Sequence, residues 1–380
     1  MSFRSMIPAC VSGLVLVGLI CLAEGTPERA AYQSAALADA GRVTPSVYTV
    51  QPSPHAQREF LGLLIRAIPG DVIELAAGTF NFDMDLEVST NNITIRGKGP
   101  DKTILSFKNQ HMGSKGIEAT GDNFVIENLA VEDTRGNAIK VVGAKNVTFR
   151  NVRTEWTGEP KTSNGAYGVY PVQCENVLID GCIVRGAADA GVYVGQSRRI
   201  VVKNCRVEEN VAGIEIENSF DADVFDNYAT NNSGGILVFD LPGLDLKNGG
   251  RVRVFHNKVP KNNHANFGAP GSSVSNVAPG TGVLLLAMDN VEIFENEITD
   301  SNTCGIQVIS YILTGNPIND PHYDAYPDRA YIHDNHISGG GKQPGGRYGK
   351  LLAGILGSPF PEIFYDGVLN PKKVKNGKLP

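Results

Sequence analysis

A short motif recurs along this chain and constrains its fold more than any other feature. Each copy is a run of aliphatic or aromatic residues that ends at a small polar residue, most often asparagine. The copies end at Asn128, Asn151, Gly181, Asn204, Asn227, Asn257, Asn296 and Asn335. Successive ends lie 23, 30, 23, 23, 30, 39 and 39 residues apart. A fixed unit of about 23 residues that carries loop insertions is the signature of a solenoid.

A second run recurs within each unit and begins at glycine. Its copies are Gly191-Val-Tyr-Val, Gly213-Ile-Glu-Ile, Gly235-Ile-Leu-Val, Gly282-Val-Leu-Leu and Gly305-Ile-Gln-Val. Runs this short cannot be helices, and the turns between them leave no room for crossover helices. We therefore predict an all-β, right-handed parallel β-helix of about 23 residues per coil. The recurring asparagines should stack at one turn, with each side-chain amide bonding the next coil.

The ends of the chain carry different signals. Arg4 followed by the apolar run 11–22 predicts a signal peptide over residues 1–23, and residues 24–46 are predicted to be a linker. The β-helix is expected over residues 47–357, and residues 358–380 should form a C-terminal tail. The protein would then be periplasmic or extracellular, with no membrane span after cleavage.

A short amphipathic helix is predicted to cap the first coil. Ser53-Pro54 supplies an N-cap and a first-turn proline, and the helix should end at Gly70. The predicted apolar stripe consists of Leu61, Leu64, Ile65 and Ile68.

Charge and cysteine spacing exclude some classes of function. The formal net charge is −6, and no basic run interleaved with aromatic residues points to nucleic acid. An acidic polysaccharide would need a local basic groove or a bridging cation, for which Ca²⁺ is a possibility. Cys174, Cys182, Cys205 and Cys304 follow the predicted signal without CxxC spacing, so no metal site is predicted. Cys182 and Cys205 share a register, which leaves open either a cross-coil disulfide or a pair of stacked free thiols.

Two resemblances follow from these motifs. The segment from the capping helix to Gly97 resembles the opening of pectate-lyase-like proteins, and residues 50–357 resemble the repeats of carbohydrate-binding and sugar-hydrolysing β-helices. Residues 211–219 and 234–242 resemble a family of secreted bacterial β-helix proteins. The resemblance implies the fold rather than the reaction, because this fold hosts lyases, epimerases, hydrolases, tailspikes and assembly factors.

One strand bears on epimerase chemistry. Residues 167–172, Tyr-Gly-Val-Tyr-Pro-Val, resemble the strand on which mannuronan C5-epimerases carry an Asp-Pro-His cluster. Tyr170 and Val172 stand here where that cluster has its acid and its imidazole, while Pro171 is kept. The resemblance therefore argues against epimerase chemistry of that kind.

Stacked coils bring equivalent residues about 4.8 Å apart, so a column of residues is the natural unit of a site. The outward column on the glycine-led strand is Lys140, Tyr170, Tyr193, Glu215, Leu237, Leu284 and Gln307, and the next outward position holds Glu217 and Phe239. The longest insertions, 155–168, 240–250, 260–280 and 310–328, flank this strand and are expected to form a groove. We predict Lys140, Tyr170, Tyr193 and Glu215 as catalytic residues. Predicted substrate-binding residues are Arg153, Glu217, Phe239 and Asp240.

This column suggests a polysaccharide-active protein, more specifically a uronate lyase or a related enzyme. A lyase needs a group that neutralises the uronate carboxylate, a base and an acid, and lysine, arginine and tyrosine can supply them. The alternative is a non-catalytic β-helix that binds a glycan or a protein as a scaffold or assembly factor. In either case the expected partner is a glycan or protein, and the expected state is a monomer.

Two further sets of residues have weaker claims to function. A second outward column, Glu127, Arg150, Asp180, Lys203, Asp226, His256, Glu295 and Asp334, alternates in charge and is predicted to be structural. His264 and His322 lie in long loops near Asp320 and Asp324, where they could serve a metal or a substrate. His333 and His336 need not converge, because a turn separates them.

Overall fold

The computed structural model describes residues 44–357 and 359–374. The predicted signal peptide and most of the predicted linker lie outside these residues. Within them the chain winds through stacked coils, and each complete coil contributes strands to three parallel faces. The predicted all-β solenoid is thus confirmed.

Face 1 contains the first strand of the described β-helix. Its strands are Val47–Val50, Val72–Leu75, Thr94–Arg96, Val125–Glu132, Lys145–Glu155, Glu175–Asp180, Arg198–Lys203, Phe220–Phe225, Gly250–Phe255, Asp289–Phe294 and Tyr331–His333. Face 2 shares the two longest of these strands, 125–132 and 145–155, which run on into it. Its other strands are Gly78–Asn81, Thr103–Ser106, Ile183–Arg185, Arg206–Glu208, Tyr228–Thr230, Lys258–Pro260, Glu297–Thr299 and His336–Ser338.

Face 3 contains the glycine-led runs. Its strands are Leu86–Val88, Ile117–Ala119, Ile139–Val142, Tyr167–Val172, Ala190–Gly195, Ala212–Glu217, Gly234–Phe239, Thr281–Leu286, Cys304–Ile309 and Ile363–Tyr365. The last of these strands pairs in parallel with 304–309. Face 3 therefore continues past residue 357, where the β-helix was expected to end.

Side chains that point inward from the three faces form one continuous core. On face 3, for example, Val192, Ile214 and Ile236 follow one another in register and are fully buried. Strands that alternate between a dry interior and an outer surface need β-branched or aliphatic residues at every second position. The core is therefore a direct consequence of the repeat.

The predicted capping helix forms over Ala56–Arg66. It buries Phe60, Leu63 and Leu64 against the first coils, whereas Ile65 is 86% exposed. The predicted stripe was therefore wrong about Ile65. Ser53 does not cap the helix with its side chain, because its hydroxyl accepts a hydrogen bond from the His55 N–H, which lies outside the helix.

The remaining helical segments lie in the long connections between strands. A second α-helix spans Gly346–Leu356, and two 3₁₀ helices span Ser273–Asn276 and Tyr311–Thr314. None of the helices described in residues 44–357 and 359–374 is long and apolar enough to cross a bilayer.

The recurring asparagines belong to two different columns, which corrects the prediction of one ladder. Asn128, Asn151 and Asn204 adopt positive φ and lie on the outside of the turn. From the next coil onward, the positive-φ position is held by Asp226, His256, Glu295 and Asp334. The recurring asparagine then comes one residue later and points inward. This inner column is Asn227, Asn257, Asn296 and Asn335, where each amide donates to the next Oδ1 at 2.9 Å.

A second buried ladder was missed from the sequence. Asn210, Asn232 and Asn262 donate from one amide to the next Oδ1 at 3.0 and 2.9 Å, at the turn that precedes face 3. Each of these three amides also donates to a backbone carbonyl of a neighbouring coil. The buried amides are thus satisfied, as buried polar groups must be.

The one-residue offset also breaks the predicted charged column. Lys203 pairs in register with Phe225 and not with Asp226. The column continues as Phe225, Phe255 and Phe294, whose rings stack at 4.9 and 5.0 Å, and it ends at His333. Lys203 is therefore the last charged residue of this strand column. The later predicted members lie one residue further on, at the turn, where His256 lies 4.0 Å from Asp226 and 2.6 Å from Glu295.

The four cysteines at 174, 182, 205 and 304 are buried free thiols. Burial raises the pKa of Cys205 well above that of an ordinary thiol, and contact with Cys182 raises it further. The two sulfurs therefore form a stacked thiol pair, which is one of the two alternatives that the sequence left open.

Candidate functional site

The four predicted catalytic residues lie in one outward column on face 3, in the predicted order. Lys140 pairs in register with Tyr170, and Tyr193 pairs with Glu215. The column continues through Leu237 as expected. Parallel pairing on a pleated sheet puts these side chains on one side of the face.

Three tyrosines pack together on this column. The ring centroids of Tyr167, Tyr170 and Tyr193 lie 4.5, 4.6 and 5.0 Å apart. Tyr193 is 5% exposed, while Tyr167 and Tyr170 are half-buried. Lys140 lies 5.6 Å from the Tyr170 ring centroid, within range of a cation–π contact.

Carboxyl groups lie directly beside the tyrosines. The Tyr193 hydroxyl donates to Glu217 Oε1 at 2.7 Å. Glycine at 195, the register partner of Glu217, makes this possible, because a Cβ there would overlap the Tyr193 hydroxyl. Glu215 is 1% exposed, and its Oε2 is buried without a hydrogen-bond donor among the described residues.

Asp189 completes the group and was missed from the sequence. It precedes the strand 190–195, and its ionised form raises the pKa of Tyr167, Tyr170 and Glu215. It was overlooked because it lies before the glycine-led run instead of within it. We call these six residues the aromatic–acid site: Tyr167, Tyr170, Asp189, Tyr193, Glu215 and Glu217.

Burial dominates the electrostatics of the aromatic–acid site. Desolvation and the neighbouring Glu217 raise the pKa of Asp189 to about 7. Burial, followed by the charges of Asp189 and Glu217, raises the pKa of Glu215 well above its usual value. The pKa of Glu217 is also raised by burial, against the hydrogen bond from Tyr193 that favours its ionised form. Within the glutamate pair, the environment thus holds the proton more strongly on Glu215, whereas the hydrogen bonds of Glu217 oppose its protonation.

Cations are scarce around the aromatic–acid site. Lys140 is 3.4 Å from Glu118, its register partner on the preceding coil. Arg153, a predicted substrate-binding residue, lies on the 145–155 strand at its face 2 end and contacts Asp101, Glu132 and Glu155. The structure thus places Arg153 on a different face from the column and surrounds it with carboxylates.

The expected open groove does not extend over the later coils. Leu237 and Phe239 are 0% and 1% exposed, because side chains from the loops pack over them. The covering residues are Leu241, Phe267, Val274, Val277, Tyr311 and Tyr323. Phe239 is therefore buried between face 3 and the loops that cover it. Asp240 is also buried, with 1% of its surface exposed. Neither side chain can contact a glycan on the surface of this structure.

The loop histidines do not converge on a metal site. The Nδ1 atom of His264 lies 2.8 Å from a neighbouring backbone carbonyl, and His322 donates its backbone N–H to Asp320 Oδ1 at 3.0 Å. On face 1, His333 contacts Glu292 and Asp334. Within residues 44–357 and 359–374, the group whose atoms lie close enough for a shared cation is Asp289, Asp324 and Asp328.

Comparisons with known proteins bear on the fold. Residues 91–248, less than half of the chain, match the family model described as right handed beta helix region. No curated protein sequence matches the chain.

Similarities among solved structures are remote. The N-terminal fragment of bacteriophage phi29 gene product 12 is 15% identical with a TM-score of 0.48, over 75% of this chain and 51% of that fragment. The chain therefore spans about half of that fragment's length. Pectate lyase Pel9A is 14% identical with a TM-score of 0.40, over 80% of this chain and 81% of the lyase. The A-module of Azotobacter vinelandii mannuronan C-5 epimerase AlgE4 is 14% identical with a TM-score of 0.45, over 80% and 95%.

At these identities and TM-scores the solved structures carry no information about the reaction of this chain. The family match and the three stacked parallel faces agree with each other. The described chain is therefore a right-handed parallel β-helix.

Proposed function

We propose that this chain is a glycan-active β-helix protein that cleaves a glycosidic bond at the aromatic–acid site. The observation that carries the proposal is the hydrogen bond from Tyr193 to Glu217, 2.7 Å long, beside two carboxyl groups whose pKa is raised. Paired carboxyls held in different protonation states are the usual means of glycoside hydrolysis.

Each group has a role in this reaction. Tyr167 and Tyr170 are half-buried and offer ring faces on which a sugar can pack. Asp189, also half-buried, retains a proton near neutral pH and would donate it to the leaving glycosidic oxygen. Glu217, held by Tyr193, would accept the proton of the water that adds to the anomeric carbon. Glu215 would keep its own proton and hold Glu217 in place.

The charge of the site favours a neutral glycan over a uronate. β-Elimination requires the uronate carboxylate to be neutralised, and Lys140 is already paired with Glu118. Uronate lyase activity remains the second candidate, because Lys140 and Tyr170 adjoin the site and a protonated carboxyl can also bind a carboxylate.

The test is incubation of the full chain with neutral and uronate polysaccharides, including xylan, β-glucan, alginate, pectate, glucuronan and chondroitin. New reducing ends without unsaturated uronate would support hydrolysis. Ultraviolet absorbance of unsaturated uronate would establish elimination instead.

The active polymer would then be used with Asp189→Asn and Tyr193→Phe, and we expect each variant to lose at least about a hundredfold in kcat/KM. The matched controls are Asp226→Asn and Tyr228→Phe, which make the same chemical changes on the outside of other faces. Equal losses in variants and controls would contradict the proposed site. No cleavage of any polymer would favour the alternative of a binding or assembly β-helix.

A further inference from the structure

The outward column of face 3 is accessible to solvent from one end only. Before Tyr170 it consists of Glu87, Glu118 and Lys140, which follow one another in register on successive coils. Glu87 is exposed, and the other three side chains are half-buried. Every member from Tyr193 onward is at most 7% exposed: Tyr193, Glu215, Leu237, Leu284 and Gln307. Solvent therefore reaches the column over the early coils and is excluded from it over the later ones.

A buried asparagine fastens one of the covering loops to the β-helix. Asn218, which directly follows the strand 212–217, is 0% exposed. Its side chain donates to the carbonyls of Leu241 and Leu246 at 2.9 and 3.0 Å, and it accepts a hydrogen bond from the Leu241 N–H at 2.8 Å. The loop 240–250 is thereby held against the end of that strand.

The loop 261–280 folds back toward the same coils. The Asn266 amide donates to the carbonyls of Val274 and Val277, both at 2.8 Å, and so shapes the apolar side of this loop. Val277 lies so close to Gly234 that a Cβ at that position would be 3.0 Å from it. The loop thus packs on the coil that directly follows the two glutamates of the aromatic–acid site.

A third loop, 310–328, joins the other two. Tyr323 donates its hydroxyl to the Asp240 carbonyl at 2.5 Å, and its ring packs in the same cluster as Leu237, Phe239 and Val277. Hydrogen bonds and apolar contacts therefore hold all three loops across the column. We call the three loops together the end wall.

The end wall lies close to the carboxyl groups of the aromatic–acid site. Glu217 pairs in register with Phe239, so one coil separates it from a covered position. Asp189 precedes a strand that is two coils from the same covered strand. Because neighbouring coils are about 4.8 Å apart, only a short segment of glycan fits between these acids and the end wall. In the other direction a glycan can extend over Tyr170 and Lys140.

We propose that the aromatic–acid site acts on the ends of glycan chains and not on their interior, with the end wall as the feature that stops the terminal sugar. This inference rests on the proposed function and specifies its substrate as a chain end. Each turnover consumes one water, whose hydroxyl adds to the anomeric carbon while a proton reaches the leaving oxygen. One glycosidic bond breaks, and a mono- or disaccharide is released on the side of the end wall.

The test uses the polymer that the unsubstituted chain cleaves. Product size and solution viscosity are followed over the earliest part of the reaction. We expect one short sugar from the start and nearly constant viscosity, because the interior of the polymer is not cut. A cyclic glycan with the same linkage has no ends, and it should react at least about a hundredfold more slowly, because its bonds cannot be positioned at the acids.

Part of the end wall can also be removed. Gly280 donates its N–H to the Asn262 carbonyl at 2.8 Å, so the ends of the loop 261–280 lie side by side and a short linker can join them. A chain in which a Gly-Ser-Gly linker replaces residues 264–278 should release longer fragments in addition to the short sugar. The matched control replaces residues 158–163, in a connection outside the end wall, and should leave the product unchanged. Melting curves show whether both chains are folded.

The outcomes separate this inference from the proposed function. A mixture of long fragments with an early fall in viscosity from the unsubstituted chain would overturn the inference and leave the proposed function standing. A single short sugar from a folded chain with the shortened loop would also overturn it, because the end wall would then not set the product. No cleavage of any glycan would contradict the proposed function, and this inference with it. If the shortened chain does not fold, the unsubstituted chain's product and the cyclic glycan decide.

Discussion

The first and last coils of this β-helix use the same backbone for different purposes. Up to the coil of Cys205, the face 1 turn is lined inside by apolar or thiol side chains, and face 3 carries Lys140 and Tyr170 near solvent. From the coil of Asn227 onward, buried amides line that turn and loops cover face 3. The aromatic–acid site lies where one arrangement changes into the other, so it combines partial burial with access. A carboxyl needs both to hold a proton at neutral pH and still reach a substrate.

The largest expected effect is on the stability of the later coils, where loops cover face 3. Phe239→Ala should lower the free energy of unfolding by about 3–5 kcal/mol, because it opens a cavity under the loops. Tyr170→Ala, the same truncation of a half-buried ring on the earlier coils, should cost about 1–2 kcal/mol. Urea unfolding followed by circular dichroism measures both. Equal losses would mean that the loops do not cover Phe239 in solution.

A smaller effect is the opposite pH dependence of the two regions. The pKa of Asp189 is raised to about 7 by burial, so the folded chain keeps a proton that the unfolded chain loses above about pH 4. This site therefore costs stability as pH rises from about 4 to 7. Asp189→Asn should make the protein about 1–2 kcal/mol more stable than the unsubstituted chain at pH 8, with no difference near pH 4.

Glu118, on the open coils, should show the reverse. Burial alone would raise its pKa, but Lys115 and Lys140 together lower it below the usual value. Its stabilising contribution is present above the unfolded pKa and is lost as pH falls through the folded one. Glu118→Gln should therefore reduce stability at pH 7, and this loss should become smaller as pH falls through the folded pKa of Glu118. Melting temperatures measured across this pH range test both variants. If the effects of Asp189→Asn and Glu118→Gln changed with pH in the same direction, the comparison would be wrong.

The smallest effect concerns the boundary itself. Cys205 stacks on Asn227, whose Oδ1 already accepts from the Cys205 N–H at 2.9 Å. Cys205→Asn would extend the buried ladder by one rung, and we expect stability to stay within about 1 kcal/mol. Val152→Asn, two coils earlier and without an amide beside it, should cost about 3 kcal/mol. Thermal melts of both variants measure the difference, and a large loss at position 205 would show that a rung cannot be added there.

The repeat predicted the fold and the order of the face 3 column because a period-two strand leaves little freedom. The run from Gly191 and the run from Gly213 fix both the inward residues and the register of Tyr193 with Glu215. The positions of the turn asparagines were harder to predict. Asn204 and Asn227 lie 23 residues apart, but the pairing of Lys203 with Phe225 shows that this coil has only 22 residues. A difference of one residue moves a side chain from outside to inside.

The loops were the main source of error about the site. Their lengths and positions are visible in the sequence, but a long insertion can border a strand or fold over it. Val274 and Val277, three residues apart in a polar loop, were a signal that this insertion has an apolar side to bury. The sequence also could not identify Asp189 as a site residue, because its raised pKa depends on burial by neighbouring residues.

The buried ladder separates loop length from coil geometry. Asn257 lies 30 residues after Asn227, and Asn296 lies 39 residues after Asn257. The hydrogen bond between the side-chain amides is nevertheless 2.9 Å long in both pairs. The intervening insertion changes nothing at the turn, because each rung is held by the rungs above and below it. Insertions could therefore be lengthened, shortened or exchanged during evolution without disturbing the scaffold. The same property makes this half of the molecule a suitable host for grafted loops.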